Sequence, residues 1–174
     1  AEIILAQEKK KNIQEIAAEY ISEEKEVKTV EEAIQGALDI IAEMISDNPE
    51  YRKLIKQIVY SKGIIKTTAT KPEEKSAYEM YYDYSENVNK IPSHRILAIN
   101  RGEKEEFLKV KIEKEEDKIL EKIEKDIIKG ENQFTQYLKD TIQDSFKRLI
   151  EPSVDREIRS DLTEKAEEQA IKVF

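Results

Sequence analysis

The sequence contains no cysteine, no tryptophan and one histidine, and it has only four glycines and four prolines in 174 residues. Each shortage closes off some chemistry. Without cysteine there is no disulfide, no thiolate metal site and no Cys nucleophile, which suits a cytoplasmic protein. A lone histidine rules out a polyhistidine metal site, and any Ser-His-Asp triad would have to use His94. No apolar run is long enough to span a bilayer and no signal peptide is read at the start, so no membrane partner is expected. No G-x-S-x-G, H-E-x-x-H, P-loop or G-x-G-x-x-G occurs. No cofactor is expected, and the chain does not read as an enzyme.

What is present is charge and apolar mass in equal share, 39% charged and 39% hydrophobic residues. Lys and Glu dominate the first group, Ile and Leu the second. With so few Gly and Pro, that mixture favours long amphipathic helices. The length suits a single helical domain over residues 1–174. The sequence opens at Ala1 without Met and closes at Phe174 inside a helical pattern, so a fragment of a larger protein is expected. The net charge of −8 and pI near 5.0 make the chain as a whole a poor ligand for phosphate backbones, while leaving room for a local basic face.

Apolar spacing places helices along most of the chain. Ile13, Ile16, Ala17 and Tyr20 form one stripe, and the polar run at 22–28 reads as a connection. Thr29 and Glu32 make a capping box ahead of the stripe Val30, Ile34, Ala37, Leu38, Ile41, Met44 and Ile45. Asn48 and Pro49 start the next helix and Gly63 stops it. Pro72 is expected to open a helix leading into Tyr78, Tyr81, Tyr82 and Tyr84, with Thr70 and Glu73 as a second capping box. Pro92 and Ser93 start another, stopped at Gly102. Gly130 ends a helix through Ile119, Ile123 and Ile127, and Asn132 caps one through Phe134, Leu138 and Ile142. Pro152 is expected to break that helix and Ser153 to cap the last. The alternation at 107–113 and the β-branched stretch 64–70 predict a two-stranded insert. The expected class is mainly α with that small β insert.

The candidate contact residues are His94, Arg95, Arg101 and Lys104, on the helix expected after Ser93. His94, Ala98 and Arg101 share a face through their spacing of four and three. A small cationic face of this kind suits phosphate or an acidic partner. The plainer reading, a local hydrogen bond for His94 and carboxylate partners for the arginines, is the favoured one. The tyrosine cluster offers rings for stacking RNA bases. Glu79, Asp83 and Glu86 around it would repel phosphate, so packing with the hydroxyls at the surface is preferred. The last helix mixes Arg148, Arg156, Arg159 and Lys165 with Glu157, Asp161, Glu164, Glu167 and Glu168, the pattern of a solvated face.

Three strings resemble one family. "DYSENVNKIPSHRILAINRGEKEEFLKVKIE" (83–113), "RLIEPSVDREIRSDLTEKAEEQAIKVF" (148–174) and "EEAIQGALDIIAEMI" (31–45) are similar to the central region of Tex, the bacterial transcription accessory, RNA-binding protein family. The resemblance implies a parent with a helix-turn-helix-like region, a YqgF domain, helix-hairpin-helix elements and an OB-fold, none of which lies in this chain. It implies that nucleic acid, RNA or DNA, is bound through the full-length protein and weakly or not at all by this piece. It places no catalytic residue here. The expectation is a non-catalytic helical scaffold; the alternative is an interaction module whose helical stripes or tyrosines dock a transcription or translation partner.

Overall fold

A computed structural model describes residues 1–7, 12–20 and 29–173, and the run expected to connect the first helices, 22–28, lies outside the described residues. The elements are α1 (Glu2–Ala6), α2 (Ile13–Ala18), α3 (Val30–Asp47), α4 (Pro49–Lys62), β1 (Ile64–Ala69), β2 (Asp83–Asn87), α5 (Ser93–Lys104), β3 (Leu108–Glu113), α6 (Glu116–Ile127), α7 (Thr135–Asp144) and α8 (Glu151–Val173). The class is mainly α with a small antiparallel sheet. Contacts group the chain into two units, Ala1–Arg52 with Asp117–Pro152, and Lys53–Glu116 with Ser153–Phe174.

The first unit is a helical packing built on α3. Thr29 starts that helix, its hydroxyl accepting from the Glu32 N–H at 3.1 Å. The buried side of α3, Ile41, Ala42 and Ile45, meets α7 and the turn that follows it, where Phe134, Leu138, Ile142 and Phe146 are fully buried. Gln7 fastens α1 to the end of α6. Its Nε2 donates to the Ile127 carbonyl at 2.8 Å and its Oε1 accepts from the Lys129 N–H at 2.8 Å. Asn132 does not cap α7 as expected: the N-cap position is Phe134, with no side-chain cap bond, and Asn132 accepts from the Phe134 N–H at 2.8 Å in the turn before the helix.

The second unit holds the sheet, ordered β2-β1-β3. Ile65 pairs with Ile112 and Ala69 with Leu108, the expected partnership of these two segments, and its direction is antiparallel. The sheet has a third strand that the expected insert lacked. Ile65 also faces Glu86, and Thr67 faces Tyr84, because 83–87 is extended. Side chains alternate along a strand, so Ile65, Thr67, Leu108 and Ile112 share the buried face. α5 packs against β3.

Three further expected details differ. No helix begins at Pro72: the segment turns, makes one 3₁₀ turn at Glu79–Tyr81 and enters β2, with the Thr70 hydroxyl bonded to the Glu106 carbonyl at 2.5 Å. Aromatic rings suit a pleated, half-buried surface as well as a helix, and the β1 edge decided between them. Gly102 does not stop α5, which runs on to Lys104. It is buried, and a Cβ there would meet Leu108 Cδ1 at 2.5 Å, so the glycine serves close packing. Pro152 does not break the last helix, and Ser153 is not its cap. The irregularity lies upstream as a π turn at Ser145–Ile150, where the Ser145 hydroxyl donates to the Ala42 carbonyl at 2.6 Å. Proline lacks an N–H and crowds the preceding turn, and a widened turn just before it relieves both.

Candidate functional site

α5 carries all four residues singled out in the sequence. Pro92 holds the extended conformation of an N-cap, and Ser93 begins the helix as expected. His94 and Arg101 are exposed, two turns apart along the helix, with Lys104 exposed beyond them. Arg101 and Lys104 occupy the last turn, where positive charge complements the carbonyl end of the helix. Arg101 also acts on the Tyr78 hydroxyl, which bonds to Glu105; that bond, with burial behind it, raises the phenol above its ordinary range.

Arg95 points elsewhere. Its guanidinium donates to Glu86 at 2.7 Å and to the Tyr84 hydroxyl at 2.8 Å, while Tyr84 donates to the second Glu86 oxygen at 2.9 Å. Tyr84 and Glu86 sit two apart on β2, hence on one face, so the strand presents both partners together. Although burial opposes its charge, Glu86 and Tyr84 raise the Arg95 pKa. The arginine is thereby committed to joining α5 to the sheet. Tyr81 packs edge-on against Tyr84 with ring centres 5.3 Å apart, so these aromatics stack within the protein.

The second polar assembly lies between α5, β3 and α8, and it engages the charged helix whose mixed pattern suggests a solvated face. Arg159 donates to Asn100 at 2.8 Å and to Glu103 at 2.8 Å, and Asn100 donates to the Thr163 hydroxyl at 2.8 Å. Beside them Lys114, only 3% exposed, pairs with Asp155 at 3.1 Å. Asn100, Glu103, Asp155, Arg159 and Thr163 border a groove of about 760 Å³ that also takes in Lys111, Arg156, Glu164 and Glu167. Its charge is mixed, so it suits a polar protein surface better than a phosphate chain. The matching spacings, Asn100 with Glu103 and Arg159 with Thr163, were the available signal. On helical wheels they place complementary groups on single faces, but only proximity of the two helices reveals the match.

On the far side of α8, Lys56 reaches Glu157 at 3.0 Å and Asp161 at 3.2 Å, and the bond to Glu157 is the main influence raising its pKa. Among the described residues no group of His, Cys, Asp and Glu could hold a metal ion, and no helix is long and apolar enough to cross a membrane.

A family model described as Tex central region-like matches residues 8–174. The chain belongs to this Tex central region family. Its relatives include the uncharacterized protein YdcI of Bacillus subtilis, 51% identical over 178 residues, covering all of this chain and 25% of that protein. The transcriptional accessory protein Tex of Neisseria gonorrhoeae is 26% identical over 182 residues, covering all of this chain and 24% of that protein. The human S1 RNA-binding domain-containing protein 1 is 28% identical over 170 residues, covering 86% of this chain and 17% of that protein. The Tex-like segment thus spans a quarter or less of these relatives. α5 and the α8 groove both fall inside the matched region.

Proposed function

We propose that residues 1–174 serve as a non-catalytic helical scaffold within a Tex-like transcription accessory protein, in the cytoplasm, whose complete form binds nucleic acid. The observation that carries this is the use made of the arginines nearest the functional candidates. Arg95 is tied to Glu86 and Tyr84, and Arg159 to Glu103 and Asn100, so both cations join elements to one another. A net charge of −8 adds a general repulsion of phosphate. His94, Arg101 and Lys104 leave a modest exposed cationic face, enough to adjust contacts made elsewhere in the full protein.

The test is a mobility-shift titration of the 174-residue chain with single-stranded RNA and duplex DNA. At physiological salt the expected dissociation constant is about 10⁻⁴ M or weaker, the non-specific range. Tight binding that weakens steeply with added salt and is lost in Arg101→Ala with Lys104→Ala would overturn the scaffold reading and make α5 a nucleic-acid site.

A further inference from the structure

The side of α3 turned away from Ile41, Ala42 and Ile45 is also apolar. Ile40 and Met44 are each 53% exposed, and Tyr20, just past α2, is 59% exposed. With α1 and α2 they line a groove of about 650 Å³ inside the first unit. Lone apolar residues at a surface are ordinary, but a contiguous lining of this kind marks a docking surface.

Two features describe what would fit. The first is shape. Ala33, Ala37, Ile40 and Met44 lie along the groove at helical spacings of four, three and four, a seam about 16 Å long. Gly36 sits among them, exposed, and a Cβ there would meet nothing within 4 Å. A mid-helix glycine weakens a helix relative to alanine, and no contact among the described residues requires this one. Together with Ala33 and Ala37 it keeps the middle of the seam low, so that a second helix can lie close along it.

The second feature is charge. Among the described residues of α1, α2 and α3 every charged side chain is a carboxylate; the joining segments of the sequence add Lys9, Lys10, Lys11, Lys25 and Lys28, and residues 1–48 still carry twelve Asp and Glu against five Lys. Glu2 and Glu32 line the groove itself. An apolar seam with an acidic margin repels nucleic acid and a second copy of the same face, and it attracts a basic ligand. We propose that this groove docks a basic amphipathic helix from a protein partner, its Leu- or Ile-like anchors spaced along the seam and its Lys or Arg residues over the acidic margin. This is independent of the scaffold reading, since an RNA titration and a peptide titration can succeed or fail separately.

The probe is a fluorescein-labelled helical peptide of about 14 residues, roughly four turns, with Leu at helical spacing and Lys on both flanks. Controls are the same composition scrambled and the same pattern with Glu in place of Lys. Anisotropy titration of the full chain is expected to show saturable binding of the Leu/Lys peptide, with both controls roughly tenfold weaker or more. Ile40→Asp and Gly36→Leu should weaken binding by a similar factor with the fold intact, because both positions are exposed, and Gly36→Leu should not lower the melting temperature, since leucine favours a helix over glycine. Gly36→Ala should raise the melting temperature while weakening the peptide, which a purely structural role could not produce. Equal binding of either control, undiminished binding by the variants, or no saturable binding at all overturns the proposal. So does sedimentation showing that the chain self-associates and that Ile40→Asp abolishes this.

Discussion

The Tyr51 hydroxyl donates its proton to the Asp126 carboxylate, two residues 75 positions apart in sequence. Burial first, and then that bond and the adjacent negative charge, push the phenol well above its usual pKa of 10.0. A raised pKa keeps the folded form protonated where the unfolded chain has begun to ionise. The stabilisation is therefore complete below about pH 10 and declines as the pH rises beyond it. Tyr51→Phe should be less stable at neutral pH by about 1 kcal/mol. Its melting temperature should fall less steeply than that of the unaltered chain between neutral and strongly alkaline pH. Parallel slopes would show that the pair is not linked to folding.

Gly102 gives a packing prediction. An added methyl would approach Leu108 Cδ1 at 2.5 Å and Tyr78 Cδ1 at 3.1 Å, in the buried contact of α5 with β3. Gly102→Ala gains helix propensity but overfills this contact, and the second effect should win by about 1–2 kcal/mol. Urea denaturation measures it. A stabilised variant would mean that the strand yields easily.

Glu106 gives the opposite sign. After α5 the Phe107 N–H bonds to the Gly102 carbonyl at 2.9 Å and the Glu106 N–H to the Glu103 carbonyl at 3.0 Å, the paired bonds of a Schellman ending. Glu106 occupies its left-handed position at φ 66°, where a side chain is disfavoured. Glu106→Gly should raise stability by about 0.5–1 kcal/mol in thermal melts, the relief exceeding the added freedom of the unfolded chain.

Two lysines that both hold α8 should differ in consequence. Lys114 is 3% exposed and pairs with Asp155, whereas Lys56 is 26% exposed and pairs with Glu157 and Asp161. Removing a buried partner strands a charge in poor solvent, so Lys114→Ala should cost on the order of 2–3 kcal/mol. Lys56→Ala should cost about 1 kcal/mol or less, and less again at high salt. Equal losses in chemical denaturation would show that depth does not control these pairs.

The outcome at particular positions shows how far the sequence could be read. Thr29 and Asn48 cap as expected because the bonds they make span only two or three residues, whereas Asn132 closes the turn before α7 instead of capping it. The pairing of 64–69 with 108–113 followed from alternation. The third strand did not, because aromatic and polar residues at 83–87 carry no decisive period until β1 offers them an edge. At the candidate site, Arg95 and Arg159 looked alike as letters. Their carboxylates stand 9 and 56 residues away, and nothing local chooses Glu86 for one or Glu103 for the other.

By itself the sequence determined the helical class, most helix starts, the central strand pairing and the family, since these rest on local spacing, composition and long matching strings. Tertiary structure alone decided that Gly102 is a contact point, that Pro152 is absorbed after a π turn, and which cations are tied. It also decided that Met44 is exposed although it belongs to the expected apolar stripe of α3, and that Ile40, outside that stripe, joins it at the surface. Periodicity states that a helix has an apolar side; only the arrangement of its neighbours determines how much of that side is covered.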